Sequence, residues 1–64
     1  MRVRNLYSVI TNNTTETEFW VRDISGKDVY TGKFRDMPFK LKEAIVLYAT
    51  INKEYVEILL ENKY

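Results

Sequence analysis

The chain has 64 residues, a mass of 7.7 kDa and a net charge of +1 from ten basic and nine acidic residues. At this size folding buries only about 60% of the extended chain's surface, so the expectation is a single small domain, residues 1–64, with a thin core. It has neither Cys nor His, which excludes disulfides, thiolate chemistry, imidazole bases and the usual zinc sites, and the charge balance excludes a polyanion mimic or a strongly basic tail.

Leu6 to Ile10 is too short and too polar for a signal-peptide core, and no apolar window approaches the roughly 18 residues of a membrane span. A cytoplasmic protein without cofactor is expected. The overlapping sequons Asn12-Asn13-Thr14 and Asn13-Thr14-Thr15 read as products of a Thr/Asn-rich loop.

Val3, Leu6, Tyr7 and Ile10 fall at i, i+3, i+4 and i+7, one face of a helix, although the residue types favour a strand. The spacing predicts a short helix, with a first strand as the alternative. Thr11 to Thr17 is polar and reads as a loop.

Glu18 to Ile24 and Val29 to Arg35 are β-rich runs around Ser25-Gly26-Lys27-Asp28, a hairpin signal. With Ile24 opposite Val29, Phe19 faces Phe34 and Val21 faces Gly32. Phe19, Val21, Tyr30 and Phe34 then share one face, with Asp23 as its polar intruder. Trp20, Arg22, Ile24, Val29, Thr31 and Lys33 take the other. Gly32 marks a bulge or a close backbone approach.

Asp36 to Glu43 reads as a helical turn capped by Asp36, with Pro38 early in it and Phe39 and Leu41 as anchors. A second pair of runs, Ala44 to Ile51 and Tyr55 to Leu60, surrounds Asn52-Lys53. A two-residue loop there sets Ala49 opposite Val56, Leu47 opposite Ile58 and Ile45 opposite Leu60, all apolar and on one face. Val46 with Leu59, Tyr48 with Glu57 and Thr50 with Tyr55 fall on the other. A helix from Lys53 to Asn62 also fits the stripe of Tyr55, Ile58 and Leu59.

From about Glu16 to Glu61 the chain resembles a group of small proteins carried by phages and mobile elements of Gram-positive bacteria. The residues that carry the resemblance are Val21-Arg22-Asp23, Gly26-Lys27-Asp28, Tyr30-Thr31-Gly32, Asp36-Met37-Pro38-Phe39-Lys40-Leu41 and the run from Ile45 to Leu60. The β-prone Leu6 to Ile10 departs from the clear first helix of that group. The resemblance implies an α+β meander of mobile-element origin, and by analogy a protein that binds and blocks a host protein, defence nucleases such as a CRISPR nuclease included. It brings no catalytic residues.

Candidates for chemistry are few. Ser8 and Ser25 have no base, and Glu16 with Glu18, or Glu54 with Glu57, lie in a loop or on an exposed edge where solvent keeps carboxylates ordinary. Asp23, Asp28 and Asp36 lack the dense ligand spacing of a calcium loop. No metal site and no enzyme are expected. Lys33, Arg35, Lys40 and Lys42 interleave with Phe34 and Phe39 as a single-strand nucleic-acid platform requires, against the simpler reading of a solvated basic rim.

The apolar supply points to a protein partner. The expected fold is α+β: a short N-terminal helix on a four-stranded antiparallel sheet made of two hairpins linked by a helical turn. One helix covers one face, which leaves Trp20, Ile24, Val46, Tyr48, Tyr55 and Leu59 for a partner, either a second copy or a host protein. A chain of this mass has roughly 4,300 Å² of surface, and an interface of about 800 Å² takes nearly a fifth of it.

Overall fold

The computed structural model describes residues 1–9, 17–52 and 54–64. In chain order these form α1 (Val3–Val9), β1 (Glu18–Arg22), β2 (Asp28–Lys33), a 3-10 turn (Phe34–Asp36), α2 (Phe39–Lys42), β3 (Val46–Ile51) and β4 (Tyr55–Leu60). The architecture is α+β, with two short helices and one four-stranded sheet in the order β2-β1-β4-β3. None of the described helices is long and apolar enough to cross a membrane.

Periodicity prevails over residue preference in α1. Val3 and Leu6 are buried and Tyr7 packs beside them, so the helical stripe meets the core. Asn5 helps to start the helix: its Oδ1 accepts the Arg2 amide at 2.9 Å. Ile10 and most of the expected Thr11 to Thr17 loop lie outside the described residues.

The sheet is mixed, which corrects the purely antiparallel expectation. β1 pairs antiparallel with β2 and β3 with β4, but the central strands β1 and β4 run parallel, with Phe19 opposite Val56 and Val21 opposite Ile58. Joining the two pairs through β1 and β4 places the most apolar inward rows side by side. Residues 34–45 must then cross from one end of the sheet to the other, and parallel topology needs about a dozen residues for such a crossing. The crossing adds to the core: Met37 and Leu41 are buried with Val3, Leu6, Phe19, Val21, Val56, Ile58 and Leu60.

Both registers differ from those expected. Phe19 lies opposite Gly32 and Val21 opposite Tyr30, with an irregularity between Val21 and Arg22. The cause is the turn: the Asp23 amide donates to the Lys27 carbonyl and the Gly26 amide to the Asp23 carbonyl, closing the pair earlier than Ile24 with Val29 would. Gly26 takes φ +90°, a conformation that glycine adopts without strain. Along β3, Ala49 faces Ile58 and Ile51 faces Val56, because the Asn52 amide donates to the Tyr55 carbonyl. The register shifts between Val46 and Tyr48, so Leu47 bulges and Val46 lies opposite Leu60. Lys53, half of the expected loop, is outside the described residues.

The crossing segment also departs from expectation. Asp36 ends the 3-10 turn and does not cap α2; Pro38 holds the cap position with no side-chain hydrogen bond. Met37 and Leu41 anchor the segment, whereas Phe39 is 76% exposed. A cap by Asp36 would need its carboxylate beside the α2 amides, and extended Met37 and Pro38 intervene.

Gly32 has φ +152°, and a Cβ built there would lie 2.9 Å from the Tyr30 hydroxyl oxygen. That hydroxyl is held in place by donating to the Lys33 carbonyl at 2.7 Å. Gly32→Ala is therefore expected to cost about 1–3 kcal/mol through backbone strain and the displaced ring. Urea denaturation checks this, and an unchanged midpoint would show that Tyr30 yields freely.

Candidate interaction face

Both helices and the crossing segment contribute to the one core, which forms on the side of Phe19, Val21, Val56, Ile58 and Leu60. Among the described residues, neither helix nor the crossing segment covers the other side of the sheet. Strand pairing arranges its side chains in rows: Lys33, Glu18 and Tyr55; then Thr31, Trp20, Glu57 and Thr50; then Asp28, Arg22, Leu59 and Tyr48.

Aromatic and apolar groups stand at the centre of these rows. Trp20 stacks on Tyr55 with ring centroids 4.5 Å apart and planes 17° apart, and its indole N–H donates to Glu18 Oε1 at 3.4 Å. Trp20 is still 42% exposed and Tyr48 61% exposed. Between them lies a shallow groove of about 320 Å³, walled by Trp20, Arg22, Thr31, Tyr48, Glu57 and Leu59. The Arg22 guanidinium meets Asp28 Oδ1 at 3.1 Å. Both groups are largely exposed, so this pair sets the groove's charge pattern more than it stabilises the fold.

Of the six residues expected to meet a partner, Trp20, Tyr48, Tyr55 and Leu59 share the open face. Ile24 is half exposed in the turn beyond β1. Val46 is a correction: the bulge at Leu47 carries it to the covered side, opposite Leu60 and against the core, and Tyr48 takes its place opposite Leu59. Val29, also expected on this face, packs against the core instead, and Asp28 lies opposite Arg22; Thr50 faces Glu57 in the middle row.

The basic stretch divides. Phe34 stacks on Tyr7 at 4.3 Å and lies 5.5 Å from Phe19, and the Lys42 ammonium sits 4.5 Å above its ring. Lys33 belongs to the first row of the open face, opposite Glu18. Arg35, Lys40 and Phe39 stay exposed on the crossing segment. Lys33, Arg35, Lys40 and Lys42 therefore do not flank two available rings, because Phe34 is spent on internal packing.

Asp23, read from sequence as a polar intruder, is fully buried and organises the turn. Its Oδ1 accepts the Ser25 hydroxyl at 2.6 Å, the Ser25 amide at 2.9 Å and the Lys27 amide at 3.1 Å; its Oδ2 accepts the Tyr64 amide at 3.1 Å. The Ser25 hydroxyl, with the Tyr64, Lys27 and Ser25 amides, outweighs burial and holds the carboxyl at about 2. The Asp-x-Ser-Gly-Lys spacing is the signal that could have shown this, since Asp side chains fold back on amides two residues ahead. No protein-family model, curated protein or solved structure matches the chain.

Proposed function

We propose that the chain is a small, non-enzymatic protein-binding module that docks through the open face of its sheet. The observation that carries this is one-sided covering: the core takes both helices, while Trp20, Tyr48 and Leu59 line an open groove and Tyr55 stacks on Trp20 beside it. Aromatic rings flanked by polar groups dominate the energetic centres of protein interfaces. The chain's surface is 4429 Å², so a standard patch of about 800 Å² would take nearly a fifth of it. A cytoplasmic setting, with a host protein as the partner that the module inhibits, is the form of this function implied by the resemblance to mobile-element proteins.

The test pairs wild-type chain with Trp20→Ala/Tyr48→Ala as bait in a Gram-positive lysate, read by mass spectrometry. Both positions are exposed, so the variant keeps its fold, checked by circular dichroism. A partner held by wild type at about 0.5 M salt and bound at least 30-fold more weakly by the variant supports the reading, since one aromatic hot spot is worth about 2 kcal/mol. Equal capture by both baits overturns it. Binding that collapses with salt points to the basic rim and nucleic acid.

A further inference from the structure

The sheet has two edges, and they are unlike. β2 carries Asp28 and Lys33 at its ends, an irregular register near Val29 and a positive-φ glycine at Gly32. Charges, bulges and glycine are devices that keep strand edges from pairing. β3 has none of these from Tyr48 onward: Val46–Ile51 reads VLYATI, without a charge, glycine or proline. Leu47, Tyr48 and Ile51 are each about half exposed or more.

The open part of this edge has defined ends. Met1 to Val3 covers its start, where the Val46 amide donates to the Met1 carbonyl at 2.7 Å and the Val3 amide to the Ala44 carbonyl at 3.0 Å. Arg2 forms an isolated bridge with Ile45, fixed by its contacts with Glu43. Among the described residues, nothing pairs with the outer edge of β3 from Leu47 to Ile51. Since the Asn52 amide points to β4, alternation turns the backbone groups of Ala49 and Ile51 away from it, toward solvent.

We infer that this edge pairs with the same edge of a second copy, antiparallel about a two-fold axis through Ala49. A two-fold contact must be self-complementary, so residue i meets j and j meets i. Pairing must also keep each side chain on its own face, which restricts the register to steps of two. Centring the open stretch selects one such register. Ala49 meets Ala49 of the copy with two reciprocal amide–carbonyl bonds, Leu47 meets Ile51, and Tyr48 meets Thr50. The half-exposed Leu47 and Ile51 cover each other, the smallest side chain lies on the axis, and no two charges are opposed. The covered Ala44–Val46 segment stops the ladder at each end. Two copies then form one eight-stranded sheet whose outer edges are the protected β2 strands, so the assembly closes without growing into a fibre.

Five paired residues bury well under the roughly 1,200 Å² of a stable complex, so the dimer is weak, with a dissociation constant on the order of 100 µM. Sedimentation velocity from about 10 µM to about 1 mM reads this directly: the expected result is a shift from monomer to dimer, and a monomer throughout overturns the proposal. Thr50→Lys keeps the fold, because the new ammonium faces Glu57, and sets a charge on an edge that has none, opposite Tyr48 of the copy and with the copy's own lysine on the diagonal; dimerisation should weaken at least tenfold. Thr31→Lys on β2 should leave it unchanged, and the reverse pattern would assign the contact to the other edge. Ala49→Cys, in a chain without other cysteines, should oxidise to a disulfide-linked dimer because paired Cα atoms lie about 5.5 Å apart. Cross-linking no faster than that of Thr31→Cys would overturn the register. Tyr48 and Thr50 belong to both surfaces, so the single change Trp20→Ala, away from β3, reports on the groove, and Ala49→Cys, on the core side of β3 opposite Ile58, reports on the edge.

Discussion

Replacing Ile58 with alanine is expected to cost about 2–5 kcal/mol, while Leu47→Ala should cost less than about 1 kcal/mol. The two are chemically similar losses in paired strands, so their contrast isolates burial. Ile58 is 2% exposed, sits between Val21 on one side and Ala49 on the other, and belongs to the cluster that joins sheet and helices. Truncating it removes several buried methyl groups and leaves a void that a rigid central strand cannot close. Leu47 is 50% exposed at the bulge, so water already reaches much of what alanine would remove. In a domain whose total stability is on the order of 5 kcal/mol, the first change unfolds much of the population and the second hardly alters it. Urea denaturation of both variants at monomeric concentration provides the measurement. Equal losses would mean that Leu47, not Val46, turns into the core.

The same pair marks where the sequence stopped being legible. Alternation in β4 was easy to read, and Val56, Ile58 and Leu60 do face the core. Parity gave the correct side for Ala49 as well, although its partner is two positions away from the one inferred. A bulge inserts one residue without any composition signal in an all-apolar run, so Val46 and Leu47 exchanged roles unseen. The parallel pairing of β1 and β4 was hidden for another reason. Local turns announce antiparallel neighbours, whereas a crossing of residues 34–45 depends on which rows pack best in three dimensions. Phe39 and Met37 show the same limit: both are apolar and two positions apart, yet Met37 is buried and Phe39 exposed. Of the face residues, Trp20, Tyr48, Tyr55 and Leu59 were legible because strand parity alone locates them.

Acid should weaken the fold through Asp23, and Asp23→Asn should remove that sensitivity. The carboxylate is buried and each of its oxygens accepts at least one hydrogen bond, three from within the turn and one from the Tyr64 amide. All these donors favour the charged form, and its folded value lies near 2 against an ordinary 3.8. A depressed carboxyl contributes stability that is fully present above its unfolded value and is lost as the pH falls through its folded one. The window is therefore between about pH 4 and pH 2, and near neutral pH the contribution is complete. Asparagine keeps an acceptor for the Ser25 and Lys27 amides but turns an N–H₂ toward the Tyr64 amide, donor against donor. At about pH 7 the variant should thus denature at lower urea than wild type, and the gap should narrow steadily between about pH 4 and pH 2 as wild type loses its charge. Asp23→Ala, which leaves every one of those donors without its acceptor, should fall below asparagine at neutral pH. A gap that stayed constant down to pH 2 would mean that the turn is held by its backbone bonds, from Asp23 to Lys27 and from Gly26 to Asp23, and that the carboxylate's charge adds nothing to them.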